Sequence, residues 1–204
     1  MDMATICNIL LWISQLIYSI SLAPQILTNY REKSGAGVSS LFLFGFFNLY
    51  FVMFIFILCL DLPLAYKVCL PPQLLVATIL ILQRLYYDTF RKCWHLWLSF
   101  GINLGLCSVI IFLATLHPIT VGHTLGWIGL TIGSINQTPQ VIKFYQQKSV
   151  RGFNFFFVIL TAFAASIEAL SCFLLCLPLQ TLFSALRNLV FVSIFSTQFA
   201  IYKD

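Results

Sequence analysis

The stretches LAPQILTNYREKSGAG, at residues 22–37, and QTPQVIKFYQQKSVRG, at residues 137–152, decide the fold of this 204-residue chain. They belong to a longer internal repeat. At an offset of 115 residues, 10–42 aligns with 125–157 without a gap, and 13 of the 33 pairs are identical. Roughly two or three identities would be expected from composition alone. The identical pairs include Trp, Pro, Gln, Tyr, Lys and Gly, so shared apolar composition does not explain them. The pattern indicates a duplication.

The composition is typical of a membrane protein. Hydrophobic residues make up 60% of the chain and charged residues 8%, whereas soluble domains carry about a quarter charged residues. So few charges cannot cover a water-facing surface, which excludes a soluble globular protein. The net charge of +5 is spread singly between apolar runs, so we predict no nucleic-acid partner. The seven cysteines lack metal-ligand spacing, and we predict neither a metal site nor a cofactor.

Seven apolar runs are long enough to cross a bilayer as helices, which takes about 20 residues each. They lie near 6–28, 38–60, 64–86, 94–115, 121–142, 153–176 and 179–202. Pro71 and Pro72 are expected to interrupt the third run. Four crossings separate the two repeat copies, so both copies run in the same direction. We therefore predict an all-α membrane protein whose seven transmembrane helices form two parallel triple-helix bundles, at 1–90 and 119–204, joined by a linker helix at 91–118.

The basic residues predict the orientation, because cytoplasmic loops carry an excess of Lys and Arg. In this assignment one side of the membrane carries Arg31, Lys33, Arg84, Arg91, Lys92, Lys143, Lys148, Arg151 and Lys203. We expect this side to be cytoplasmic, which places the N-terminus outside or in a lumen and the C-terminus in the cytoplasm. The short loops fit a bacterial inner membrane or an organelle membrane.

The two quoted stretches resemble the PQ-loop motifs of the PQ-loop transporter family. That family includes cystinosin and the lysosomal cationic amino-acid exporters, and its structural relatives include the SWEET sugar transporters and the KDEL receptor. The resemblance covers nearly the whole chain. It implies two triple-helix bundles, joined by a fourth helix, that alternate access to a central site.

The PQ motifs themselves are Pro24 with Gln25 and Pro139 with Gln140. A proline inside a helix removes a backbone donor and leaves the carbonyl four residues earlier without a partner, so we predict kinks here. We expect the glutamine side chains to help satisfy these carbonyls. The resemblance implies that the prolines are hinges between inward-open and outward-open states, and the alternative is a static kink.

Two amides that the repeat offset pairs, Gln73 in the third run and Asn188 in the seventh, lie near mid-membrane. In SWEET-like relatives an Asn at this place binds the substrate, which implies a substrate-binding role for Asn188. Gln73 is one methylene longer and is the candidate in the first half. The alternative for both is ordinary hydrogen bonding between helices.

Glu168 and Arg187 are ionisable residues well inside the sixth and seventh runs. Such a residue costs about 2.5–3.5 kcal/mol on insertion scales, which favours a functional role. We predict that Arg187 binds a substrate carboxylate and that Glu168 takes a proton or a substrate amine. The alternatives are a fixed salt bridge between the two side chains or a Glu168 that is simply protonated.

These features together predict an alternating-access membrane transporter of a small polar solute. Glu168 and Arg187 favour an amino acid or a related zwitterion, with proton coupling at Glu168 as a hypothesis. The matched amides favour a SWEET-like sugar facilitator as an alternative, and a KDEL-receptor-like ligand-binding receptor is a second one. The sequence contains no phosphate loop, metal cluster or nucleophile–base set, so we predict no enzyme and no catalytic residues. The expected partners are the solute, the lipid bilayer and, under the coupling hypothesis, protons, while the sequence leaves the oligomeric state open.

Overall fold

The computed structural model describes residues 2–87 and 108–202, and all regular secondary structure in these ranges is α-helical, as predicted. The helices are α1 (Met3–Ser21), α2 (Ala23–Glu32), α3 (Ser40–Cys59), α4 (Leu64–Tyr87), α5 (108–116), α6 (Pro118–Gln147), α7 (Phe155–Leu174) and α8 (Leu179–Ile201). We refer to α1–α4 as the first half of the chain and to α6–α8 as the second half.

Within the described ranges, five helical stretches are long and apolar enough to cross a membrane. They are Met3–Glu32, Ser40–Cys59, Leu64–Tyr87, Phe155–Leu174 and Leu179–Ile201. Helix α6 is longer, with 30 residues, but its Gly, Thr, Asn and Gln residues lower its hydropathy. The chain is thus an integral, multi-pass membrane protein. The arrangement of two bundles joined by a linker helix stays a prediction, because residues 91–107 of the predicted linker lie outside the described residues, as do Arg91, Lys92 and Lys203.

The first predicted span consists of two helices rather than one kinked helix. Helix α1 ends at Ser21 and α2 begins at Ala23, immediately before Pro24. The backbone N–H of Gln25 donates to the carbonyl of Leu22, at 3.1 Å. Pro139, the repeat mate of Pro24, lies inside the continuous helix α6. The two prolines therefore sit in different backbone settings.

Helix α4 continues through Pro71 and Pro72, so the predicted interruption of the third span is wrong. Proline's fixed φ is compatible with a helix, and its cost is the lost backbone bonds. The hydroxyl of Ser19 on α1 donates to the carbonyl of Cys69 in the same turn, at 3.0 Å. The carbonyls that lose their helical partner are those of Lys67 and Val68, and the bond from Ser19 ties the adjacent carbonyl of Cys69 to α1.

The two halves pack against each other through two helix pairs, α3 with α6 and α1 with α7. Helix α6 presents glycines to α3, and small residues let membrane helices approach closely. A Cβ atom at Gly126 would lie 2.8 Å from the ring of Phe56, and one at Gly122 would lie 2.8 Å from the side chain of Leu60. The glycines of α6 therefore allow the two halves to pack closely along α3 and α6.

The chain turns at matched positions after α2 and α6. The residues that end these helices, Lys33 and Lys148, adopt the left-handed conformation with φ of 45° and 50°. Each turn leads to an N-cap residue, Ser39 for α3 and Asn154 for α7. We call the end of the molecule formed by residues 33–39 and 148–154 the PQ end.

Candidate functional site

The glutamine of the first PQ motif binds the loop of the second half. The side-chain oxygen of Gln25 accepts a hydrogen bond from the backbone N–H of Asn154, at 2.8 Å. Its Nε2 donates to the carbonyl of Gly152, at 2.8 Å, and to Oδ1 of Asn29, at 2.9 Å. The expectation that this amide satisfies a carbonyl of its own kinked helix is wrong, because the helix breaks before Pro24 and the amide reaches the other half.

The glutamine of the second motif makes the reciprocal contacts. The side-chain oxygen of Gln140 accepts from the backbone N–H of Ser39, at 2.7 Å, and its Nε2 donates to the carbonyl of Gly37, at 3.2 Å. Both glutamines are buried, at 2% and 0% exposure for Gln25 and Gln140. We call these four hydrogen bonds between the halves the glutamine clasp.

Two glycines of the repeat bring the loops into direct contact at the PQ end. A Cβ atom built on Gly37 would lie 2.0 Å from the carbonyl oxygen of Gly152. Gly152 also has a φ of 77°, which a side chain would strain. The backbones of the two halves thus touch, which only glycine allows at this distance.

Phenylalanine rings fill the space next to the clasp. Phe42 and Phe157, which are repeat mates, pack edge to face with their centroids 6.3 Å apart. Phe153, adjacent to the clasp, packs on both rings at 6.1 and 5.6 Å. Together with the clasp, these rings close the PQ end of the interface between the halves.

A cavity of about 80 Å³ lies between the halves, with Phe157 in its wall. This volume corresponds to about two or three water molecules. The four residues predicted to bind substrate or protons, Gln73, Asn188, Arg187 and Glu168, all line this cavity. The PQ-motif residues lie outside it, at the PQ end.

Glu168 on α7 is buried and is bound by side chains of the first half. Its Oε1 accepts from Nε2 of Gln15, at 3.0 Å, and from the hydroxyl of Tyr66, at 2.9 Å. Gln15 lies on α1 and Tyr66 on α4, so this acidic side chain holds the second half to the first.

Arg187 on α8 does not form an ion pair with Glu168. Its Nη2 instead donates to Oδ1 of Asn188, at 2.9 Å. The side-chain nitrogen of Asn188 donates in turn to the hydroxyl of Tyr18, at 3.2 Å. Arg187 is thus linked through Asn188 to Tyr18 of the first half, and this chain of side chains crosses the interface between the halves.

Several polar atoms in the cavity wall are buried without a hydrogen-bond partner. They include Nε of Arg187, Nε2 of Gln73 and Oγ1 of Thr161. Buried polar groups are normally satisfied, so such atoms are candidates for ligand contacts. Two of the three are donors only, which favours a solute with acceptor oxygens.

Sequence reasoning missed Gln15, Tyr18, Tyr66 and Gln137 as site residues. Each lines the cavity, and Gln137 donates from Nε2 to Oδ1 of Asn188, at 3.4 Å. The available signal was the presence of amides and tyrosines inside apolar runs. That signal marks polar positions but does not tell which helix they face.

The opposite end of the molecule carries an exposed ion pair between Asp61 and Lys67. The hydrogen bond and the charge of Lys67 lower the pKa of the Asp61 carboxyl group. In the described ranges, no three His, Cys, Asp or Glu side chains cluster in a way that would hold a metal ion.

Comparison with known proteins identifies the family of this chain and a solved structure with a similar fold. The profile of the PQ loop repeat matches residues 6–66 and 121–181, together more than half of the chain. None of the curated proteins matches the sequence. A solved structure of a eukaryotic SWEET transporter superimposes with a TM-score of 0.70 at 13% identity, covering 97% of this chain and 98% of that one. At this identity the similarity shows a shared fold. The two matched repeats cover more than half of the chain and contain both glutamines of the clasp, so the chain belongs to the PQ-loop repeat family.

Proposed function

We propose that this protein is an alternating-access transporter of a small polar solute, with the cavity between the halves as its substrate site. The observation that carries the proposal is the position of this polar cavity, at the interface of two repeated halves whose PQ end is closed. Transporters built from parallel repeats place their substrate sites at such an interface, near the bilayer midplane. The shared fold with a SWEET transporter supports the same function.

The glutamine clasp and the glycine contact are, in this proposal, the gate at the PQ end. Opening there requires that the four hydrogen bonds of the clasp break together, since each half holds the loop of the other. The break between α1 and α2 before Pro24 provides one hinge, and Pro139 in α6 provides the other. We propose that the two bundles are residues 1–90 and 119–204, joined by a linker helix at 91–118.

We further propose an amino acid or a related small zwitterion as the substrate. The buried Nε of Arg187 has no partner, and a guanidinium group binds a carboxylate through two parallel hydrogen bonds. Glu168 supplies the opposite charge across the cavity, as a partner for a substrate amine. The cavity of about 80 Å³ is smaller than an amino acid, so the halves must move apart at this site for the solute to enter and bind.

We propose proton coupling at Glu168, and the contacts of this side chain support the proposal. As a carboxylate, this side chain accepts hydrogen bonds from Gln15 and Tyr66 of the first half. Protonation removes the charge that strengthens these bonds and turns one oxygen into a donor. Loading a proton therefore loosens the contact between the halves on this side of the cavity.

A sugar is the second candidate substrate. The unpartnered Nε2 of Gln73 favours it, because a neutral amide donor suits a hydroxyl oxygen. In this case Arg187 and Glu168 are structural residues, and the repeat mates Gln73 and Asn188 bind the substrate.

The orientation with the PQ end in the cytoplasm follows from the basic residues around it, among them Lys33, Lys148 and Arg151. The N-terminus then lies outside or in a lumen. We propose a bacterial inner membrane or an organelle membrane as the location. The liposomes of the uptake experiment should therefore be made with lipids of each kind.

The test is uptake into proteoliposomes from a mixed pool of amino acids and sugars, measured by mass spectrometry with and without an inward proton gradient. Gradient-driven accumulation of an amino acid supports the assignment of Arg187 and Glu168. Gradient-independent equilibration of a sugar transfers the site to Gln73 and Asn188. Binding of a ligand without any flux contradicts transport and favours the receptor alternative.

A further inference from the structure

Gly133 on α6 forms a notch that the guanidinium group of Arg187 occupies. A Cβ atom built on Gly133 would lie 1.7 Å from Nη1 and 2.4 Å from Cζ of this arginine. The same Nη1 donates weakly to the carbonyl of Leu130, at 3.4 Å, while Nη2 is bonded to Asn188. The guanidinium group therefore rests against the α6 backbone in a space that exists only because residue 133 has no side chain.

The repeat shows that this notch belongs to one half alone. At the offset of 115 residues, Gly133 corresponds to Tyr18, and Arg187 corresponds to Pro72. In the first half, Tyr18 thus has a side chain at the position that is empty at Gly133, and its hydroxyl group accepts a hydrogen bond from Asn188. The two halves of the cavity wall therefore differ in chemistry at matched positions.

The unpartnered Nε of Arg187 indicates what this one-sided arrangement binds. It is a buried donor in the cavity wall, next to the Nη2 that Asn188 holds in place. A carboxylate oxygen is the acceptor that suits such a guanidinium edge. A neutral polyol has no negative charge, so it gains no charge pairing from the single cation in the cavity wall.

We propose that Gly133 is a specificity-determining, positioning residue, which sets Arg187 so that it selects solutes with a carboxylate and orients that carboxylate towards α6 and α8. This inference rests on the proposed function, since it concerns the same cavity. It adds a residue that contacts no substrate itself and acts through Arg187.

The test compares Gly133→Ala with Gly129→Ala, one helical turn away on the same glycine face of α6. A Cβ atom at Gly129 would meet the flexible Sδ of Met53, at 2.8 Å, and not Arg187. The probes are glycine, L-alanine and L-proline, each against its own carboxamide, with binding measured as thermal stabilisation of the purified protein. Each glycine variant is also made in an Arg187→Ala background.

The inference predicts that Gly133→Ala weakens binding of the acids at least tenfold and changes binding of the carboxamides less than twofold. Gly129→Ala should leave the ratio of acid to carboxamide affinity unchanged. In the Arg187→Ala background, Gly133→Ala should have no further effect on that ratio, because residues that act as a unit are not additive. Should Gly133→Ala fail to insert, Gly133→Ser replaces it, since any Cβ atom at this position meets Nη1 of Arg187, and the same tenfold loss is expected.

The outcomes separate the two proposals. If the unaltered protein binds none of the three acids, both the substrate assignment and this inference are overturned. If it binds them but Gly133→Ala behaves like Gly129→Ala, or weakens acids and carboxamides equally, the role of Gly133 is refuted while the proposed substrate class stands. A full effect of Gly133→Ala without Arg187 present would refute it as well.

Discussion

The glutamine clasp predicts that one side chain controls the opening of both loops at the PQ end. Gln140→Leu keeps a buried side chain of similar size but removes the two hydrogen bonds to Ser39 and Gly37. Each such bond contributes about 0.5–1.5 kcal/mol net, so the closed state loses about 2 kcal/mol. The equilibrium between closed and open PQ ends then shifts by about 30-fold towards open.

Hydrogen exchange of the backbone amides measures this shift directly. The N–H groups of Ser39 and Asn154 both donate to clasp glutamines, so their exchange reports opening of the PQ end. Peptides covering residues 34–42 and 149–157 follow the two loops by mass spectrometry. If the clasp opens as one unit, Gln140→Leu accelerates exchange about 30-fold at Asn154 as well as at Ser39, although Gln140 does not touch Asn154.

The control is Gln147→Leu, which removes an exposed amide near the PQ end and should leave both exchange rates unchanged. Acceleration at Ser39 alone would show that the loops open independently, and the clasp would then not be a gate. Equal rates in Gln140→Leu and the unaltered protein would refute the energetic contribution of the clasp itself.

Three further predictions follow from the helices and the charged residues. Pro24→Ala restores a backbone donor at the α1–α2 break and should slow uptake by about tenfold, or about 1.4 kcal/mol in the barrier, without loss of membrane insertion. Pro139→Ala should slow uptake as well. Unchanged uptake in both variants would contradict the hinge role. Glu168→Gln preserves an acceptor oxygen but cannot titrate, so uptake should continue downhill while its dependence on a proton gradient disappears; surviving gradient-driven accumulation excludes Glu168 as the coupling site. Because Lys67 lowers the pKa of Asp61, the pair stabilises the fold above the ordinary pKa of about 3.9 and loses this effect as the pH falls through the lowered pKa. The difference in Tm between the unaltered protein and Asp61→Asn should therefore be constant near neutral pH and vanish in acid, and a difference that grows on acidification would contradict this sign.

The internal repeat made most of the helix arrangement predictable, because identical residues at a constant offset reveal a duplicated unit. Apolar runs located the helices, and the matched Pro–Gln pairs identified the family, which the repeat profile confirms. Periodicity cannot tell how a proline is accommodated, since that depends on neighbours. The sequence therefore predicted a kink at Pro24 where the structure has a break, and an interruption at Pro71 where the helix continues.

The contacts of the site were less predictable than its members. Charge and polarity inside apolar runs pointed to Glu168 and Arg187, and the repeat pointed to Gln73 and Asn188. Their partners depend on how α1 and α4 face α7 and α8, which no spacing within one helix reveals. A tyrosine inside an apolar run marks a polar position, but nothing in the sequence shows that the hydroxyl of Tyr18 accepts a hydrogen bond from Asn188 on α8.

The contact of Gly37 with Gly152 has a consequence for the history of the chain. These residues are repeat mates that touch each other, and Gln25 reaches the loop after Gln140 just as Gln140 reaches the loop after Gln25. Such reciprocity, in which i meets j and j meets i, is the mark of an isologous two-fold interface between identical subunits. A single half-length ancestor could thus have formed the same contacts with a second copy of itself, and fusion of the duplicated genes would have preserved them. In a fused chain each copy can change alone, and Tyr18 and its repeat mate Gly133 are such a difference.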